Sequence, residues 1–384
     1  MLNFRSGFAL STSILFTGFL LAQTKPRARD LGVPFDGTPG PLNAITDVKG
    51  VEVGHTTLIS GNGPLKVGVG PVRTGVTAVL PRGKDSNDAV FAAWFTLNGN
   101  GEMTGTTWLE DSGFLNGPVM ITNTHSVGVV RDAVIGWKVK RAKPDEEGYW
   151  WSLPVVAETW DGYLNDTNGF HVKPEHAIHA IGSAHGGPVE EGSVGGGTGM
   201  VCNEFKGGIG TASRVLRTKD GGYTVGVLVQ CNYGRRDQLR IAGVPVGKEI
   251  PDHTVYESDT GSIIVVVATD APLIPTQLKR VARRVSLGLA RNGSYSGDGS
   301  GDIFIAFSTA NSGEHAAEGP HSIIMLPNDS LDPIFLATVQ ATEEAVVNAM
   351  VAADTMTGAD NHTVIGLPHD RLREVLKKYN RLEK

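Results

Sequence analysis

The sequence predicts one α/β domain in which sheets and helices are layered on one another. Three observations carry this reading. Strand-like and helix-like segments alternate along the chain, with no long linker and no internal repeat. The stretch 260–268 runs Thr-Gly-Ser-Ile-Ile-Val-Val-Val-Ala, and five unbroken Ile and Val residues read as a strand buried on both faces. Glycine makes up 50 of 384 residues and only 19% are charged, a balance that favours tight turns and close backbone contacts. Length alone also allows two domains.

In chain order, residues 1–22 read as a secretory leader. Arg5 supplies the positive start, 8–21 is mostly apolar, and Ala22 is the last residue removed, although Leu20 fits a small-x-small site poorly. The stretch is short and lacks stop-transfer charge, and no later stretch is long enough to cross a bilayer. The expectation is an exported protein, periplasmic or secreted, without a stable membrane anchor. A net charge of −6 gives no electrostatic footprint for nucleic acid. Export permits a bridge between Cys202 and Cys231. Free cysteines are often simply buried, and two unbridged thiols are expected.

Residues 30–43 form a Pro/Gly-rich loop. Strands are expected at 48–58, at 67–80 with a break at Gly70-Pro71, at 89–97, and from Pro118 into a polar turn ending at Gly128. A helix begins near Asp132. Residues 143–152 read as a surface loop, and 153–160 as a short strand that ends on Glu158. Residues 164–206 are rich in His, Gly and Asn. A strand at 224–229 leads into Gln230-Cys231-Asn232. Residues 248–259 are polar and aperiodic, as an exposed, cleavable linker would be. Thr276 caps a helix to about Arg291, whose apolar positions Leu278, Val281, Ala282, Val285 and Leu289 follow the helical period. Further strands are expected at 303–308 and 322–326. Asp332-Pro333 opens a helix to about Ala353.

The motifs exclude several chemistries. There is no G-x-S-x-G elbow. Gly247-Lys248 is followed by Glu249, so no phosphate loop is completed, and Gly195 to Gly199 does not complete G-x-G-x-x-G. His171, His176, His179 and His185 follow no common zinc spacing, so neither metal nor cofactor is expected. Four places remain open to two readings. Gly261-Ser262 is a turn before a core strand, which spacing alone favours. Alternatively it is a self-cleaving bond whose serine becomes a nucleophile with its own α-amine as base, a group that titrates near neutrality. Glu158 is a surface carboxylate, or a partly desolvated one that holds a substrate ammonium. Asn232 is a turn residue, or a donor to an oxyanion. Ser300 and Asp302 belong to a tight turn, or to a polar network beside a nucleophile.

These pieces together resemble the DmpA/BapA family of exported N-terminal-nucleophile aminopeptidases, which includes the β-peptidyl aminopeptidases. The matching stretches are 121–128 (Ile-Thr-Asn-Thr-His-Ser-Val-Gly), 154–159, 207–214, 229–234, 261–273 and 299–304, so the likeness runs from about residue 30 to 365. The resemblance implies a four-layer αββα sandwich, shared with the ornithine acetyltransferases. It implies a single catalytic domain, 23–384, cut into 23–261 and 262–384, two pieces that stay together and assemble as a tetramer of cleaved pairs. It implies release of N-terminal residues from short peptides, amides or esters, β-peptides among them, through an acyl-enzyme on Ser262. Ser300 and Asp302 then correspond to the pair supporting the nucleophile, Asn232 to the oxyanion donor, and Glu158 to the carboxylate that binds the substrate amine. Some family members carry Glu where Asp302 stands. Trp160 falls where one branch has a Tyr near the nucleophile, so no hydroxyl is available there. An ω-amide amidase on the same fold and an exported small-ligand-binding protein are the alternatives. A transferase of the acetyl-ornithine type fits less well, given export and a Ser nucleophile.

Overall fold

The computed structural model of the chain describes residues 25–143, 147–148, 150–258, 261–316, 319–320 and 322–383. The expected leader, 1–22, lies outside the described residues, as do Asp259, the last residue of the expected linker, and Thr260.

The elements follow in order. β1 (Glu52–Ser60) and β2 (Val72–Leu80) form a hairpin, and the Gly70-Pro71 peptide just before β2 is cis. Next come β3 (Val90–Gly99), α1 (Thr106–Ser112), β4 (Phe114–Leu115), β5 (Val119–Asn123), α2 (Val127–Val139) and β6 (Val155–Thr159). The His-rich region holds α3 (Pro174–Gly182), whose first residue is a proline, at a helical position where a missing N–H costs nothing. Then follow β7 (Val201–Cys202), β8 (Phe205–Lys206), β9 (Gly208–Val215), β10 (Thr224–Asn232) and the short α4 (Val246–Glu249). The Ile/Val run is β11 (Ser262–Thr269), followed by α5 (Pro275–Arg291), β12 (Gly301–Ser308), α6 (Asp332–Val351) and α7 (His369–Lys378).

Two sheets result, one of four strands in the order β1-β2-β5-β6 and one of six in the order β4-β3-β12-β11-β10-β9. Strand alternation sends side chains to opposite faces, and the buried clusters show where each face goes. Ile264, Val266 and Ala268 of β11 pack with Leu228, Ile303 and Ile305, and meet Val53, Val79, Ile121 and Ala157 of the other sheet. Ile263, Val265 and Val267 face outward, onto Leu278, Val281, Val285 and Leu289 of α5 and Ile334, Ala341 and Ala345 of α6. On the far side, Val76, Ala78, Met120 and Val156 pack under Val130 and Val134 of α2 and Ala177 and Ile181 of α3. The layers are therefore helix, sheet, sheet, helix, the αββα sandwich that the resemblance implies. All the apolar positions read from the period of α5 are buried.

Four expectations are corrected. Residues 322–326 form no strand; Ile323, Ile324 and Met325 are 44%, 71% and 48% exposed. The backbone of Ile324 instead pairs with the side-chain amide of Asn311, through N–H donation to Oδ1 at 2.9 Å and acceptance from Nδ2 at 2.9 Å. Cys202 and Cys231 are joined in a disulfide. The β7–β8 turn folds back beside the end of β10 and brings the two Cα atoms to 5.5 Å, within bridging distance. Both helix caps also differ: Thr276 lies inside α5, after Pro275 and the cap residue Ile274, and Asp332 is the first residue of α6 rather than its cap, with Leu331 before it.

Candidate active site

The site is a single rung of the six-stranded sheet. Ser262 opens β11, Asn232 closes β10 opposite it, and Gly301 opens β12 on its other side. Ser262 shares the face of Ile264 and Val266, so its hydroxyl stands at the mouth of the layer between the sheets. It is 6% exposed, and its Oγ accepts a hydrogen bond from Gly301 N at 3.1 Å. Beside it, the fully buried Ser300 donates from Oγ to Asp302 Oδ1 at 2.7 Å.

Gly261 presses against the end of β10. A Cβ there would lie 2.0 Å from the Asn232 carbonyl oxygen and 2.5 Å from Tyr233 Cα, so no larger residue fits without moving the backbone.

Asn232 is held in one orientation. Its Oδ1 accepts from Val201 N at 2.7 Å and its Nδ2 donates to the Trp160 carbonyl at 2.8 Å. A side-chain amide nitrogen carries two hydrogens, so one remains to be donated. Trp160 thus enters the site through its backbone. Its indole is 40% exposed and lies over Gly162, where a Cβ would come within 2.6 Å of the ring.

Glu158 is buried near the end of β6. Its Oε1 accepts from Glu102 N at 2.9 Å, and its Oε2 accepts from the Thr124 hydroxyl. Burial pushes its carboxyl above the ordinary range, the two hydrogen bonds oppose this, and the charges of Glu102 and Asp161 add to the rise. The link to Ser262 is Gly101. A Cβ on Gly101 would lie 3.3 Å from Glu158 Oε1 and 3.2 Å from Gly301 Cα, so the carboxylate sits one backbone width from the rung.

Ser262, Asn232, Ser300, Asp302 and Glu158 are thus brought together from four separate stretches. Several partners escape a reading of the sequence. Thr124, the Glu102 amide and the Val201 amide act through contacts made only by the fold. Gln230 carries a visible signal, a polar residue two positions before Asn232 in an apolar strand. It is fully buried and spans the sheets, donating from Nε2 to the Thr122 carbonyl at 2.9 Å and to Thr159 Oγ1 at 2.8 Å. The histidines are dispersed. His171 pairs with Asp166, His179 with Thr56, and His185 with the Gly186 carbonyl. No group of three or more His, Cys, Asp or Glu side chains converges among the described residues.

The family model of peptidase family S58 matches residues 43–364. The chain belongs to peptidase family S58. This S58 chain is 57% identical to beta-peptidyl aminopeptidase BapA of Sphingosinicella microcystinivorans over 97% of each chain. It is 50% identical to the BapA of Sphingosinicella xenopeptidilytica, over 96% of this chain and 94% of that one. Its structure matches the L-aminopeptidase D-Ala-esterase/amidase of Ochrobactrum anthropi, described as a prototype for the serine aminopeptidases and a new variant of the Ntn hydrolase fold. The TM-score is 0.87 at 51% identity, covering 93% of this chain and 100% of that one. The S58 chain therefore has the architecture of an N-terminal-nucleophile hydrolase.

Proposed function

We propose that this S58 aminopeptidase cuts its own Gly261–Ser262 bond. It then releases the N-terminal residue of short peptides, amides or esters, β-peptides among them, through an ester on Ser262. One observation carries the reading: Ser262 begins a central strand at the mouth of the inter-sheet layer, between Asn232 and the Gly301 amide in one rung.

In maturation the Ser262 hydroxyl attacks the Gly261 carbonyl carbon. The peptide C–N bond breaks as the ester C–O bond forms, and the proton of the hydroxyl passes to the departing nitrogen. Water then hydrolyses the ester, leaving a Gly261 carboxylate and a free Ser262 amine. In turnover that amine takes the hydroxyl proton as the oxygen attacks the first carbonyl of the substrate, and returns it to the leaving group; water, giving a proton to the same amine, then hydrolyses the Ser262 ester, releasing the N-terminal residue as the proton returns to the serine oxygen. The remaining amide hydrogen of Asn232 and a backbone N–H stabilise the oxyanion, each donor contributing about 3–4 kcal/mol to the transition state. Ser300, whose hydroxyl donates to Asp302, supports the nucleophile together with that carboxylate. Glu158 pairs with the substrate's terminal ammonium.

An exported precursor whose cut pairs assemble as a tetramer completes the proposal. A denaturing gel of the purified protein tests it: bands of about 25 and 13 kDa are expected, at residue masses averaging about 110 Da. One intact band with no hydrolysis of alanyl p-nitroanilide would favour a ligand-binding protein instead.

Gly261→Ala forces a methyl group toward the Asn232 carbonyl. Time courses of band conversion should show self-cleavage slowed by about a hundredfold, since displacing a reacting bond by about 1 Å costs that much. Prolonged dialysis against a chelator should leave hydrolysis intact, because each group in the mechanism is organic; loss of activity that zinc restores would contradict it.

A further inference from the structure

The linker that ends at Gly261 is held by a buried carboxylate. Glu204 is 1% exposed, in the turn between β7 and β8. Its Oε1 accepts from Val255 N at 3.1 Å and Tyr256 N at 2.8 Å, and its Oε2 accepts from Arg236 N at 2.8 Å. Arg235 Nη1 lies 3.4 Å from the same carboxylate and also donates to the Tyr256 carbonyl. Arg236, equally buried and stacked on Phe205, holds the start of the linker by donating from Nη1 to the carbonyls of Ile250 at 3.0 Å and Asp252 at 2.8 Å.

The backbone at Glu204 is a second, independent sign. Asn203 and Glu204 have φ of 47° and 60°. A two-residue hairpin turn with both φ values positive favours Asn followed by Gly. Asn203 obeys that rule and Glu204 does not. An L side chain in this conformation persists where surrounding contacts over-determine it, and such residues gather at functional positions.

We infer that Glu204 is a positioning residue for self-cleavage: it tethers the linker at Val255 and Tyr256 so that the Gly261–Ser262 bond is presented to the site. The physical reason is orientation. Ser262 already holds its side of the bond in the rung, so fixing 255 and 256 a few residues upstream limits the directions from which the chain can enter Gly261 and hence the orientation of its carbonyl toward the hydroxyl. The tether acts on the precursor only. Once the bond is cut, a free peptide substrate owes nothing to it. The inference rests on the self-cleavage reading and adds a residue that separates maturation from turnover.

The test uses the full chain, following band conversion over time and measuring kcat/KM of the cut protein on alanyl p-nitroanilide. Glu204→Gln keeps the shape but removes the charge that accepts from both sides. Val255→Pro removes one linker N–H and leaves the buried cluster intact, so it decides the matter if the first variant does not fold. Both variants should cut about tenfold more slowly, the loss expected for charge-assisted hydrogen bonds. Once cut, they should match the parent kcat/KM within about twofold. Cutting at the parent rate would overturn the tether. So would a fall in kcat/KM that parallels the fall in cutting, because Glu204 would then be holding the mature site. A parent chain that never cuts would overturn the self-cleavage reading itself, and the tether with it.

Discussion

Ser262→Ala should yield a single uncut chain with no aminopeptidase activity. In the proposed mechanism the same oxygen opens the Gly261 peptide and then attacks substrate, so its removal should abolish both steps rather than weaken one. The strand itself should survive, since alanine fits the start of β11 and the one hydrogen bond lost is that from Gly301 N to Oγ. That bond is worth about 1 kcal/mol, small against typical domain stability. The thermal transition should therefore stay near that of the parent while turnover vanishes. A Ser262→Ala chain that still splits at this bond would show that another group performs the cut.

Glu158→Gln should lower kcat/KM for free-amine substrates by the equivalent of about 3–5 kcal/mol, the range for removing one partner of a buried charge pair. The carboxylate is already desolvated, held by Glu102 N and the Thr124 hydroxyl, so an arriving ammonium meets a charge that solvent does not screen. Acetylating the substrate amine should abolish the advantage of the parent over the variant. Self-cleavage should be spared, because no terminal ammonium takes part in it. Burial raises the Glu158 pKa. Only the ionised form pairs with an ammonium, so kcat/KM should fall as pH drops through a limb that lies above the ordinary carboxylate range. Equal rates on free and N-acetylated alanyl p-nitroanilide with the parent enzyme would remove Glu158 from this role and favour a general amidase.

Much of the fold is legible in the sequence because it is carried by local pattern, whereas the roles proposed for the site residues come from the likeness to a known family. The Ile/Val run after Ser262 suits a doubly buried strand, and β11 is one. The period of α5 marks residues that meet the sheet. The candidate site residues lie near element ends, where an apolar run leads to Glu158 or Asn232 or starts just after Ser262. What stays hidden depends on contacts distant in sequence. Thr124 and the Glu102 amide reach Glu158 only after β5, β6 and the 100–104 segment pack together. The disulfide needs the β7–β8 turn to fold back on β10. Residues 322–326 resemble a strand because an apolar run does not reveal whether a ladder partner exists, and Asn311 supplies the pairing instead.

The central claim is that Ser262 becomes an N-terminus. N-terminal sequencing of the smaller fragment of the purified, active protein tests it most directly. The account predicts Ser-Ile-Ile-Val, beginning at residue 262. An active protein that is intact across this bond, or whose fragment begins at another residue, would contradict it.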